Sequence, residues 1–130
     1  MYNLIRHEDK ITLEKLRDTY GDKNQILVSM EELSELSAVL AKYPRYEDSE
    51  KALAELQYRV LDEIADVYII LDHVQEIFKI PDSSIEVRIV QKINRAKKWL
   101  DAGSSMQNTI DIREVEDSYQ GECLNMMNKE

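Results

Sequence analysis

Residues 53–78 read LAELQYRVLDEIADVYIILDHVQEIF. Leu53, Leu56, Val60, Ile64, Val67, Leu71, Val74 and Phe78 recur at steps of three or four, the period of one face of an α-helix. A run this long and regular predicts a helix that starts between Asp48 and Leu53 and ends before Pro81. Its middle carries Asp62-Glu63-Ile64-Ala65-Asp66, so that carboxylates interrupt an otherwise hydrophobic surface.

Working outward, Ser83 with Glu86 reads as a capping box, and Ile85, Ile89, Ile93, Ala96 and Leu100 carry a further helix to Gly103. Upstream, Asp22 with Gln25 three positions later opens a helix that runs to about Tyr43, where Pro44 stops it. Before that, Thr12 can cap a first helix with Glu14 in its first turn and Gly21 at its end; Lys15 at the third position leaves it without a capping box. Four amphipathic helices with short connections predict an all-α protein, an antiparallel four-helix bundle. The bundle is expected to span residues 1–102, leaving 103–130 as a polar C-terminal arm or tail that lacks a sustained period. About 100 residues make a thin core, so a second apolar stripe is expected to be buried in a homo-oligomer, a dimer or tetramer.

Composition narrows the function. The chain has 130 residues, 43% hydrophobic and 33% charged, which is globular. No run of about 18 apolar residues is present. Arg6, His7, Glu8, Asp9 and Lys10 occupy the place of a secretory apolar region, so a cytoplasmic protein without a membrane partner is expected. The lone Cys123 has no internal disulfide partner. A net charge of −9, with 17 basic against 26 acidic residues, argues against nucleic-acid binding. An acidic protein that handles phosphates should recruit cations to do so.

Glu31-Glu32-Leu33-Ser34-Glu35 forms a second acidic cluster, on the helix before. At about 100° per residue, Glu32 and Glu35 share a stripe with Val28, Val39 and Tyr43, beside a main apolar stripe of Ile26, Met30, Leu33, Leu36 and Leu40. Glu63 falls among Leu56, Val60, Val67 and Ile70, with Asp66 one turn on. Burying an ionised carboxylate alone costs on the order of several kcal/mol or neutralises it, so four converging acids call for a cation. The competing reading is solvated surface. In a chain this acidic about five acid pairs at i and i+3 arise by chance, and the spacing alone only puts two side chains on one face. What sets these two pairs apart is their apolar setting on consecutive helices joined by a hairpin.

The hairpin imposes a condition. Glu35 lies about 12 Å along the helix from Tyr43, and Glu63 about 21 Å from Ser49. The pairs come level only if the connection takes up residues to about Leu53, or if residues 47–58 bend away; an uninterrupted helix from Ser49, packed tightly antiparallel, would speak against a shared site. An all-carboxylate set suits Mg²⁺, with Mn²⁺ as a substitute, over zinc or copper. A di-iron carboxylate bundle wants Glu-x-x-His pairs, and neither His7 nor His73 has a Glu three residues before it. Both histidines are read as ordinary surface or boundary residues.

Glu32-x-x-Glu35, a spacer, then Glu63-x-x-Asp66 resembles the signature of the all-α nucleoside triphosphate pyrophosphohydrolases, the MazG-like superfamily, which includes dimeric dUTPases and phosphoribosyl-ATP pyrophosphohydrolases. The segments Met30 to Leu36 and Asp62 to Val67 carry the likeness, which covers roughly residues 24–100. It implies that Glu32, Glu35, Glu63 and Asp66 hold Mg²⁺, and that a nucleoside triphosphate is cleaved between its α and β phosphates to the monophosphate and pyrophosphate. Asn94-Arg95-Ala96-Lys97-Lys98-Trp99 resembles a family segment that contacts phosphates and nucleotide, although Val90 stands where relatives often carry Lys. Arg88, Lys92, Arg95 and Trp99 form a stripe that could take its place as a triphosphate clamp with an aromatic plane for the base. A solvated basic face is the alternative, and Asn94 lies on a different side of the helix. Lys92, Asn94, Arg95 and Trp99 are therefore the candidate substrate contacts. Glu31 or one of the four acids would act as general base. Two other functions stay open: a non-catalytic acidic helical oligomer with an interaction or regulatory role, and a phosphoribosyl-ATP pyrophosphohydrolase.

Overall fold

The computed structural model describes residues 4–103. They form helices α1 (His7–Tyr20), α2 (Asp22–Leu40), α3 (Tyr43–Tyr46), α4 (Glu50–Ile77) and α5 (Asp82–Asp101), with no strand among the described residues. The all-α expectation holds, with four long helices and one short one. None of the described helices is long and apolar enough to cross a membrane. Contacts divide the chain after Pro81 into a unit that holds α1–α4 and a unit that begins with α5. The expected C-terminal arm and Cys123 lie outside the described residues.

Several helix ends differ from the sequence reading for local reasons. α1 begins at His7, before Thr12, because Arg6 caps it through its backbone: its carbonyl accepts from the N–H of Asp9 and Lys10. The Arg6 guanidinium grips the Asp9 carboxylate through Nε at 2.6 Å and Nη2 at 3.1 Å. Glu8 and Asp9 in the first turn also suit the helix dipole. A single residue, Gly21, separates α1 from α2; its φ of +83° is one that a side chain would strain. Gly21, not Asp22, is therefore the cap position of α2. Pro44 does stop α2, but it does so by opening α3 in its first turn, so that α2 ends at Leu40 and not Tyr43. Ser49 Oγ accepts from the Ala52 N–H at 3.3 Å and starts α4 within the expected window. α4 ends four residues before Pro81 with Lys79 in the left-handed region at φ 54°; Ile80 N–H donates to the Gln75 carbonyl at 2.9 Å, and Lys79 N–H to that of Glu76.

α5 starts at Asp82, which places Ser83 inside the first turn instead of at the cap. Gly103, at φ 67°, follows its end, where the Gly103 N–H donates to the Leu100 carbonyl.

In the first unit α2 packs along α4, α3 packs on α4, and α1 touches both long helices. The face that α2 turns inward is not its main apolar stripe. Gln25, Ser29 and Val39 are buried, whereas Met30, Leu33 and Leu40 are exposed. Ser29 satisfies its hydroxyl by donating to the Gln25 carbonyl at 2.7 Å. On α4 the buried residues are Leu56, Ile70 and His73, one side of the helix, while Tyr58, Leu61, Ile64 and Tyr68 on the other side stay exposed. Among the described residues the buried apolar side chains are Leu13, Val39, Leu56 and Ile70, a thin core.

Candidate metal centre

Glu32 stands on the inward face of α2 between Ser29 and Val39, and Glu63 and Asp66 stand on the facing side of α4 between Leu56 and Ile70. One carboxylate oxygen from each of Glu32, Glu63 and Asp66 lies within 4.8 Å of the other two. The helix from Ser49 is uninterrupted, the arrangement expected to speak against a shared site, and the carboxylates still converge. α3 explains the outcome. Glu32 is about 12 Å along α2 from Leu40, and Glu63 about 20 Å along α4 from Glu50. The first turns of α4 thus extend beyond the end of α2, and α3 packs there.

Like charges this close oppose one another. Glu32 is held above the usual carboxylate range, first by desolvation and then by the charges of Asp66, Glu35, Glu63 and Glu31. Glu63 is raised in the same way, by desolvation first and then by Glu35, Asp66 and Asp62, with Arg59 opposing. Both residues are half-buried, and Oε2 of Glu63 is shielded from solvent with no hydrogen-bond partner. A carboxylate oxygen in that condition is costly unless something positive meets it. Three converging carboxylates and an orphaned oxygen fit a hard divalent cation; the donor set does not distinguish Mg²⁺ from Mn²⁺.

Of the four acids expected to act together, three meet. Glu35 is exposed and outside the converging set, although its charge reaches both Glu32 and Glu63. Glu31, a candidate general base, and Asp62 are exposed. Lys92, Asn94, Arg95 and Trp99 all lie on α5, in the second unit. On that helix Arg88 Nη1 donates to Gln91 Oε1 at 3.0 Å.

A second polar cluster was not anticipated. His73, read as a surface or boundary histidine, is 3% exposed. Its Nδ1 lies 3.1 Å from Arg17 Nη1, which also donates to Asp72 Oδ2 at 3.2 Å; Lys10 Nζ lies 3.4 Å from Asp72 Oδ1. The signal in the sequence is the pair Asp72-His73, which breaks the apolar run of Tyr68 to Leu71.

The described residues thus define an all-helical protein with a carboxylate cluster between two packed helices. No family model, no curated protein and no solved structure matches this chain.

Proposed function

We propose that this chain is a Mg²⁺-dependent nucleoside triphosphate pyrophosphohydrolase, acting on NTP or dNTP between the α and β phosphates and accepting Mn²⁺ in place of Mg²⁺. The observation that carries the reading is the convergence of Glu32, Glu63 and Asp66, together with the unpartnered Oε2 of Glu63. The resemblance of the paired acidic segments to the MazG-like enzymes supports it independently. Glu32, Glu63 and Asp66 would hold the cation, with Glu35 as a further carboxylate at the rim. When bound there, the ion would supply Lewis acidity toward phosphate oxygens and lower the pKa of water. The chain's own residues divide the remaining work. Glu31 or one of the four acids would take a proton as general base, Glu35 standing outside the converging set. Lys92 and Arg95 would offset phosphate charge and Trp99 offer an aromatic plane to the nucleoside, while Asn94, on another side of the helix, would offer its amide to the site of a neighbouring subunit.

Pyrophosphate release from a panel of ribo- and deoxynucleoside triphosphates, with phosphoribosyl-ATP included, tests the proposal. Release that requires Mg²⁺ or Mn²⁺ is expected from at least one nucleoside triphosphate. Hydrolysis of phosphoribosyl-ATP alone would move the assignment to that enzyme, and no release from any of them would favour the non-catalytic oligomer.

The same reading includes self-association. Tyr58 and Leu61 are 68% and 61% exposed, and with Ile64 and Tyr68 they form an apolar strip on α4. Adjoining it is an apolar groove of about 430 Å³ lined by Leu4, Ile5, Leu13, Leu61, Ile64 and Tyr68 among others. Monomers rarely leave such a strip to water. A dimer or tetramer is expected in sedimentation, and Leu61→Glu, at a position that the core does not use, is expected to shift it to monomer with its helix content unchanged. A wild-type monomer at micromolar concentration would refute this part of the proposal.

A further inference from the structure

The contact between α1 and α4 includes a buried imidazole that the proposed chemistry does not use. α1 contributes one buried apolar side chain, Leu13, so its attachment rests heavily on Arg17. The Arg17 and Asp72 side chains are 12% and 10% exposed, and their ion pair is extended by Lys10 on the other carboxylate oxygen. A guanidinium has donors and no acceptor. At 3.1 Å from Arg17 Nη1, Nδ1 of His73 must therefore accept, with the ring proton on Nε2. A proton on Nδ1 would set N–H against N–H and two cations side by side inside the protein.

The charged and titratable groups around the Arg17–Asp72 pair come from three helices and the end of one of them. α1 presents His7, Lys10, Glu14, Arg17 and Asp18; α4 presents Asp72 and Glu76, with Lys79 just past its end; α2 presents Asp22. The inward residues of α2 nearest this end of the seam, Gln25 and Ser29, are neutral. Burial lowers the His73 pKa from 6.5, Arg17 lowers it further, and Asp72 acts against both. The folded protein therefore holds the imidazole neutral where the unfolded chain would already take a proton. The docked state is at full strength above 6.5 and weakens as the pH falls through the lowered folded value.

We propose that His73, Arg17 and Asp72 form an acid-sensitive latch, which holds α1 on α4 while the imidazole is neutral and releases it when the imidazole takes a proton. Hydrogen exchange over residues 7–20, corrected for the intrinsic effect of pH and compared with residues 56–70 of α4, reads the latch directly. Between about pH 7.5 and pH 5.5 the protection of α1 should fall several-fold relative to α4, toward the limit of about tenfold that one proton on a group of open-state pKa 6.5 sets, and recover on return. In His73→Gln, whose amide oxygen can accept from Arg17 without titrating, α1 should stay protected at both values. In the wild-type protein the midpoint of α1 opening should coincide with the imidazole titration followed by NMR, below 6.5. Unchanged α1 protection in acid, acid opening of equal size in His73→Gln, or midpoints that do not coincide would each overturn the proposal. The NMR comparison decides the matter even where His73→Gln does not fold.

Discussion

Glu63→Gln is expected to raise the melting temperature of the metal-free protein and, at the same time, to lower Mg²⁺-dependent pyrophosphate release by at least about a hundredfold. The two effects have one cause. Oε2 of Glu63 is out of reach of solvent, has no hydrogen-bond partner and stands within a set of carboxylates whose mutual repulsion lifts its pKa. Glutamine keeps the shape, removes the charge and offers an amide donor to a neighbouring carboxylate oxygen of Glu32 or Asp66. Without a cation the seam between α2 and α4 therefore relaxes, by about 2 °C or more in melting temperature. With a cation the same change removes an anionic ligand. A residue that merely maintained the fold would lose activity and stability together, and a solvated surface acid would change neither. Activity within a few-fold of wild type, in a folded variant, would remove Glu63 from the site.

Saturating Mg²⁺ or Mn²⁺ is expected to stabilise the wild-type protein by about 2.7 kcal/mol at a hundred times its dissociation constant, or about 10 °C in melting temperature for a domain of this size. The pH dependence of that gain is the more specific test. Glu32 and Glu63 have folded pKa values above 4.5, so the folded protein binds protons there more tightly than the unfolded chain. In chelator their contribution is fully present below 4.5 and is lost as the pH rises through the raised values. Metal binds the ionised pair, so the gain from Mg²⁺ should grow over the same interval, with protons released into weakly buffered solution. Subtracting the melting curve in chelator from that in metal at each pH cancels the other carboxylates of the chain. A gain that is flat with pH, or one retained in full by Glu63→Gln, would disconnect the cation from this seam.

The helices themselves were largely legible in the sequence because their punctuation is local. Ser49 needs only its own neighbours to cap α4, and Pro44, Pro81, Gly21 and Gly103 act through their own dihedral limits. The start of α1 was missed because Arg6, which is not one of the usual capping residues, caps it through its backbone carbonyl, with its side chain on Asp9 alongside. Orientation was harder to read. Periodicity says which residues share a face, but α2 has two stripes, and only its partner decides that Gln25, Ser29, Glu32 and Val39 go inward while Met30 and Leu33 do not. The choice runs against hydrophobicity, as a seam that gathers carboxylates must. The same limit applies to Glu35, which shares a stripe with Glu32 by angle yet stands a turn further along the helix, outside the set that converges. His73 and Arg17 are 56 residues apart, and no local pattern joins them.

The one-residue link at Gly21 gives α1 the mechanics of a lever. Arg17 is four residues from that pivot, about 6 Å along the axis, and His7 is fourteen residues away, about 21 Å. An opening at Arg17 is therefore magnified about threefold at the far tip of α1. Next to that tip Leu4 and Ile5 lie over Leu61, Ile64 and Tyr68. A displacement of about 1 Å between Arg17 and His73 is thus enough to lift the N-terminal segment off α4 by roughly the width of a methyl group, and to lay bare the apolar groove beneath it.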